Sequence, residues 1–161
     1  TSTVQGSGDV KYHLGYSSKV QTPAGKGVYL KLMPNPSHLE AVAAVALGYC
    51  RAQADNLYGE ERSKVLPVIL HGDAAVAGQG IVYETVQMSG LKGYSVNGAL
   101  HFVINNQVGF TTDFDDARSS IYSTSVSRVL EVPILHVNGD DAEAKTASGD
   151  EALVTAIQSR P

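Results

Sequence analysis

Val68-Ile69-Leu70-His71-Gly72-Asp73 and Phe102-Val103-Ile104-Asn105-Asn106 decide the fold of this chain. Each is a short apolar run that stops on small polar residues bearing oxygen ligands. The stretch between them has room for a strand end, a helix and a second strand, the make-up of a parallel crossover. In an open parallel sheet successive strands end on the same edge, and ligands bind along it. Neighbouring strands lie only about 4.8 Å apart, so one side chain from each could reach a shared cation. The carboxylate of Asp73, the amide oxygen of Asn106 and a backbone carbonyl make a hard-oxygen half-shell. Magnesium takes such partial sets and completes its octahedron with water and phosphate oxygens. A metal-bridged diphosphate is the ligand this pattern predicts.

Taken singly, Gly-Asp and Asn-Asn are ordinary turn residues. Their joint placement at two consecutive strand ends is what gives them weight. Ala74-Ala75-Val76-Ala77-Gly78-Gln79-Gly80 follows the first. Such small residues let a diphosphate approach the backbone, and a following helix offers free N–H groups to an anion. The Gly-x-Gly-x-x-Gly fingerprint of dinucleotide folds is missing, as is the Gly-Lys-Ser/Thr ending of a P-loop, so nucleotide binding is the weaker reading.

Outward from these two runs the elements alternate. Residues 1–27 are rich in Gly, Ser, Thr and Lys and read as irregular. Residues 28–33 are β-prone and close at Pro34. Ser37, with Glu40 three positions on, fits a capping box, and Asn35 with Pro36 fits a helix start nearly as well. The helix predicted from there to about Leu57 is apolar nearly all round over residues 39–47, which implies burial. A polar loop over 56–64, a strand over 65–70, a helix over 77–93 and a strand over 99–104 follow. Residues 108–125 have no clean period and read as a long, poorly ordered loop. Residues 133–137 read as a further strand, with a helix after Asp141. The expected architecture is α/β, a mainly parallel sheet flanked by helices in a single domain spanning residues 1–161.

Composition narrows the function. A chain of 161 residues with 43% apolar content has enough for one real core. Its net charge of −4, with no Lys/Arg cluster, argues against a nucleic-acid surface. No apolar run is long enough to span a membrane. The single cysteine, Cys50, suits a reducing compartment and falls in a helical apolar pattern, so it reads as core. Thr1-Ser2-Thr3 is neither a start methionine nor a signal peptide, and the chain reads as a piece of something longer.

Longer words in the sequence carry a specific resemblance. These are Gly8-Asp9-Val10-Lys11-Tyr12-His13-Leu14-Gly15, Asn35-Pro36-Ser37-His38-Leu39-Glu40-Ala41-Val42, His71-Gly72-Asp73-Ala74-Ala75, Ile104-Asn105-Asn106-Gln107-Val108-Gly109-Phe110-Thr111-Thr112 and His136-Val137-Asn138-Gly139-Asp140-Asp141. Gly-Asp followed at this spacing by Asn-Asn resembles the thiamine-diphosphate motif. Together the words resemble the first component of 2-oxoglutarate dehydrogenase over nearly the whole chain from Gly8. Ala74 stands where many thiamine-diphosphate families have Gly, a departure that the 2-oxoglutarate branch shares.

The resemblance implies a thiamine-diphosphate-binding fold with thiamine diphosphate and Mg²⁺ as cofactors. It implies that Asp73, Asn106 and the carbonyl of Val108 hold magnesium, and that Leu39, Asp73, Ala74, Ala75 and Asn106 contact thiamine diphosphate. His13 and Ser37 would face 2-oxoglutarate, with His38 beside them; imidazole and hydroxyl groups can donate to its second carboxylate. The other reading of His13 is a surface-loop histidine, and of His38 a helix-start residue near solvent. His71 either orients the diphosphate or merely packs, while His101 and His136 read as strand residues satisfied in place. The implied partners are the lipoyl-bearing second component, which receives the succinyl group, and a second copy in a homodimer. The implied location is a bacterial cytoplasm or a mitochondrial matrix. The family's upstream His-Arg pair and its later activating glutamate have no match here, so the isolated chain is expected to bind cofactor weakly and not to turn over. A 2-oxoadipate dehydrogenase, a non-oxidative 2-oxoglutarate decarboxylase and a non-catalytic structural piece are the competing readings.

Overall fold

The structure is a computed structural model that describes residues 13–59 and 61–138, with the backbone of Thr155–Ile157. Its centre is the predicted pair: β3 (Val68–Gly72) and β4 (Ala99–Ile104) run parallel, with Val68 opposite Leu100 and Gly72 opposite Ile104. Their sheet is mixed, because β5 (Thr155–Ile157) pairs antiparallel with β4 on its other side. Side chains alternate strictly along β3. Ile69 and His71 are buried, whereas Val68 and Leu70 lie on the opposite face, which is open to solvent at 47% and 68%. Ile104, opposite Gly72, is exposed on that same face. The covered face mixes Ile69, Ala99 and Val103 with His71 and His101, whereas the open face is apolar and, among the described residues, no helix covers it.

Two strands form where residues 1–27 read as irregular and where 28–33 read as part of the main sheet. β1 (Tyr16–Gln21) and β2 (Gly27–Leu32) make a separate antiparallel hairpin. Its turn is closed by Thr22 N–H donating to the Lys26 carbonyl and Gly25 N–H to that of Thr22, both at 2.8 Å. Gly25 takes φ 75°, a value that favours glycine. Opposed residues share a face, so Tyr16, Val20, Val28, Leu30 and Leu32 form one apolar side, and all five are exposed.

Helix α1 (Ala41–Tyr58) begins three residues later than the capping box predicts. Glu40 is its N-cap residue but makes no capping bond, because its carboxylate is spent on His71. The expectation of burial all round is also corrected. Only Ala43 and Ala54, a whole number of turns apart and so on one stripe, are buried, while Val45 is 53% exposed. Cys50 is half-buried, and burial pushes its thiol pKa up, which fits a packed rather than a reactive role.

The helix expected over 77–93 is two helices, α2 (Asp73–Gly78) and α3 (Gly80–Met88). They break at Gln79, which is extended between two glycines. The core lies here: Val76, Val82, Val86 and Val126, with Val103, Leu130 and Val132 packed against them. Val126 belongs to a 3₁₀ segment, Ser123–Val129, that also buries Ser123, Thr124 and Ser127. Of the long loop expected over 108–125, residues 123–125 thus pack into the core as the start of this segment, while no residue from 108 to 122 is buried as a whole. Residues 133–137 form no strand. The helix expected after Asp141 falls outside the described residues apart from Thr155–Ile157, which is a strand.

Candidate functional site

Strand β3 runs into α2 with no loop between them, because Gly72 is extended and Asp73 already helical. This abrupt change leaves Asp73 at the strand's carboxyl end, facing inward in phase with Ile69 and His71, and only 1% exposed. Arg118 Nη1 donates to Asp73 Oδ2 at 3.2 Å, and both side chains are buried. The other carboxylate oxygen, Oδ1, is buried without a hydrogen-bond partner. Leaving such an acceptor unsatisfied costs about 1–3 kcal/mol, so this oxygen is open to a further partner. Phe114 supports the guanidinium from below at 4.9 Å.

The register of β3 with β4 brings Asn105 and Asn106 out at the same end as Asp73. The loop that follows turns sharply, with Gln107 at φ 59° and Phe110 at φ 57°. Val108 N–H donates to Asn106 Oδ1 at 3.1 Å, and Thr112 N–H to the Gly109 carbonyl at 3.0 Å. The loop folds back onto α2: a methyl group at Gly109 would lie 3.3 Å from the Ala74 Cβ. Asn106 and Val108 are exposed, Ala74 and Ala75 half-buried.

Ser37, His38 and Leu39 lie in the turn before α1 and are all exposed. His13 is half-buried. Its neighbourhood meets theirs at one end of the hairpin, since a Cβ on Gly15 would lie 3.1 Å from the Pro34 ring. Glu40 links this turn to β3. It takes the left-handed φ of 68°, costing roughly 1–2 kcal/mol for a residue with a Cβ. Its Oε2 lies 2.5 Å from His71 Nδ1, and His71 Nε2 lies 2.8 Å from His101 Nδ1.

Burial, and secondarily the neighbouring His71, pushes the pKa of His101 down to about 3. A folded pKa below the unfolded value of about 6.5 means the unfolded chain takes the proton first. Stability from this group is therefore complete above pH 6.5 and falls progressively as the pH drops toward 3. Denaturant titrations at a series of pH values are expected to show a loss of up to about 1.4 kcal/mol per pH unit in that window. His101→Gln should flatten the slope, and an unchanged slope would assign it to other groups.

Two of these residues escaped sequence reasoning. Arg118 is the one basic residue in a segment carrying Asp113, Asp115 and Asp116, a signal that was readable. Glu40 was read as a capping residue, and nothing local distinguishes that role from reaching across to a neighbouring strand. Among the described residues no three His, Cys, Asp or Glu side chains converge on a metal site.

A dehydrogenase E1 component family model matches residues 1–159 of this sequence, and the chain belongs to that family. Proteins named 2-oxoglutarate dehydrogenase E1 component from Brucella ovis, Brucella canis and Brucella suis biovar 1 are each 55% identical to it over 150 residues, or 88% of this chain. The chain spans about 15% of the length of these relatives.

Proposed function

We propose that this chain is the diphosphate- and magnesium-holding part of a 2-oxoglutarate dehydrogenase first component. The observation that carries the reading is the buried, unpartnered Oδ1 of Asp73, beside a loop from the adjacent parallel strand that rests on Ala74. A hard cation fits that oxygen. Asp73, the side chain of Asn106 and the carbonyl of Val108 would hold Mg²⁺. Leu39, Ala74 and Ala75 would contact thiamine diphosphate, the alanines being small enough for close approach to the backbone. The cofactor, when bound, supplies the electron-accepting centre that decarboxylation of a 2-oxo acid requires. The chain's own residues position the reactants: Arg118 fixes the Asp73 carboxylate, while His13, Ser37 and His38 would orient 2-oxoglutarate through its distal carboxylate. The succinyl group would pass to a lipoyl arm on the second component, in an enzyme assembled as a homodimer.

Substrate choice tests the assignment. In the full-length enzyme, His13→Ala and Ser37→Ala are expected to lower kcat/KM for 2-oxoglutarate by one to two decades more than for a monocarboxylic 2-oxo acid. A charge-assisted hydrogen bond of roughly 1.5–3 kcal/mol predicts that difference. Equal losses on both substrates would mean that these residues serve the cofactor or the fold. Calorimetric titration with thiamine diphosphate and Mg²⁺ separates a cofactor-binding chain from a purely structural one.

A further inference from the structure

Three polar side chains form a buried line that the proposed cofactor and substrate contacts do not use. Glu40 Oε2 meets His71 Nδ1 at 2.5 Å, and His71 Nε2 meets His101 Nδ1 at 2.8 Å. The Glu40 and His71 side chains are 6% and 1% exposed, and His101 is buried as well. A glutamate at the end of an exposed turn would ordinarily point to water. Here the backbone takes a left-handed conformation that sends the carboxylate inward, against the strand. A strained residue held by buried partners is a feature the rest of the fold must enforce, and such features gather at sites that need a fixed geometry.

The line has direction. It starts in the turn that carries Ser37, His38 and Leu39, and reaches β3 two residues before Asp73. It ends on β4, where Ile69 is the register partner of His101. A carboxylate at Glu40 accepts from His71 Nδ1–H, which leaves Nε2 to accept from His101 Nδ1–H. One proton arrangement satisfies every contact in the line. The two imidazole rings lie edge to edge and nearly coplanar, with centroids 5.1 Å apart and planes 5° apart, which suits an in-plane N–H···N bond. The turn has little else to hold it. Ser37, His38 and Leu39 are exposed, and its backbone bonds are Ala41 N–H to the His38 carbonyl at 3.3 Å and Ala43 N–H to that of Glu40 at 3.2 Å.

We infer that Glu40 is a positioning residue: through His71 and His101 it clamps the Ser37–Leu39 turn to the strand end that carries Asp73. This rests on the reading of Ser37 and His38 as substrate-facing residues. The clamp would set the distance between the substrate's carboxylate donors and the cofactor's anchoring end.

Two variants of the full-length protein test it. Glu40→Asn keeps a residue that tolerates the left-handed backbone but is too short to reach His71. Glu40→Gln keeps the length and an oxygen that can accept from His71 Nδ1–H. In the ligand-free protein, amide hydrogen exchange over residues 36–43 should quicken roughly tenfold in Glu40→Asn, and Glu40→Gln should restore most of the protection. With cofactor present, Glu40→Asn should raise the KM for 2-oxoglutarate by about tenfold and leave the calorimetric affinity for thiamine diphosphate and Mg²⁺ within about twofold. Unchanged exchange in Glu40→Asn, or failure of Glu40→Gln to rescue it, overturns the clamp. Faster exchange with an unchanged KM also overturns its role in positioning substrate. Ser37→Ala distinguishes the two failures: if it too leaves KM unchanged, the substrate-facing reading falls, and if it raises KM, the clamp alone falls.

Discussion

Asp73→Ala leaves the chain largely unfolded and Asp73→Asn leaves it folded but unable to bind thiamine diphosphate with Mg²⁺. That is the result expected from the burial of this carboxylate and of its partner. Removing the side chain strands the Arg118 guanidinium in the interior, where breaking a buried ion pair costs about 3–5 kcal/mol. A domain has only about 5–15 kcal/mol in all. Asparagine conserves the volume and can present its amide oxygen to Arg118 Nη1, so most of the packing survives. It loses the charge that a divalent cation needs. Even an outer-shell partner of a metal is worth up to about 100-fold in affinity, and a direct ligand is expected to exceed that. Calorimetry on folded Asp73→Asn is the deciding measurement. Cofactor affinity equal to that of the unsubstituted protein would mean that Oδ1 is unpaired for some reason other than a missing cation.

Val86→Asp should abolish the folded state, whereas Val45→Asp should be tolerated. Val86 is 1% exposed among Val76, Val82 and Val126, so a carboxylate there has no polar neighbour within the cluster. The cost is several kcal/mol, with loss of both the helical signal and the cooperative melt. Val45 is 53% exposed, and an aspartate there should change stability by no more than about 0.5 kcal/mol. Circular dichroism of the two variants side by side decides it. Equal loss of structure in both would restore the fully buried α1 that its apolar composition suggests.

The contrast between these valines shows where the sequence was legible. β3 and β4 were readable because a buried parallel strand is a short apolar run bounded by turn residues, and β4 falls at residues 99–104 as expected. Composition misled at α1, since alanine satisfies a helix exposed or buried and carries little information about which face is covered. The hairpin was obscured by Ser, Lys and Gln on its polar side, although Pro23 and Gly25 already marked its turn. Residues 133–137 have strand-like composition yet lie without a ladder, which no local pattern can foresee. At the site, Asp73 announces itself through its position at a strand end. Arg118 and Glu40 act on partners distant in sequence, Asp73 and His71, and only the folded chain reveals those pairings.

The open face of the β3–β4 pair bears on the chain's colloidal behaviour. Val68, Leu70 and Ile104 present an apolar surface to water, next to an edge of β3 that no strand pairs among the described residues. A surface of this kind adheres to its own kind, and a ladder edge beside it gives the contact a template. Against that stands a net charge of only −4, whose repulsion is screened within about 8 Å at physiological ionic strength. Sulfate and phosphate salts, by raising the cost of wetting apolar area, push the balance further toward self-association. Buffer composition thus governs how long the chain stays in solution, independently of how firmly each molecule is folded.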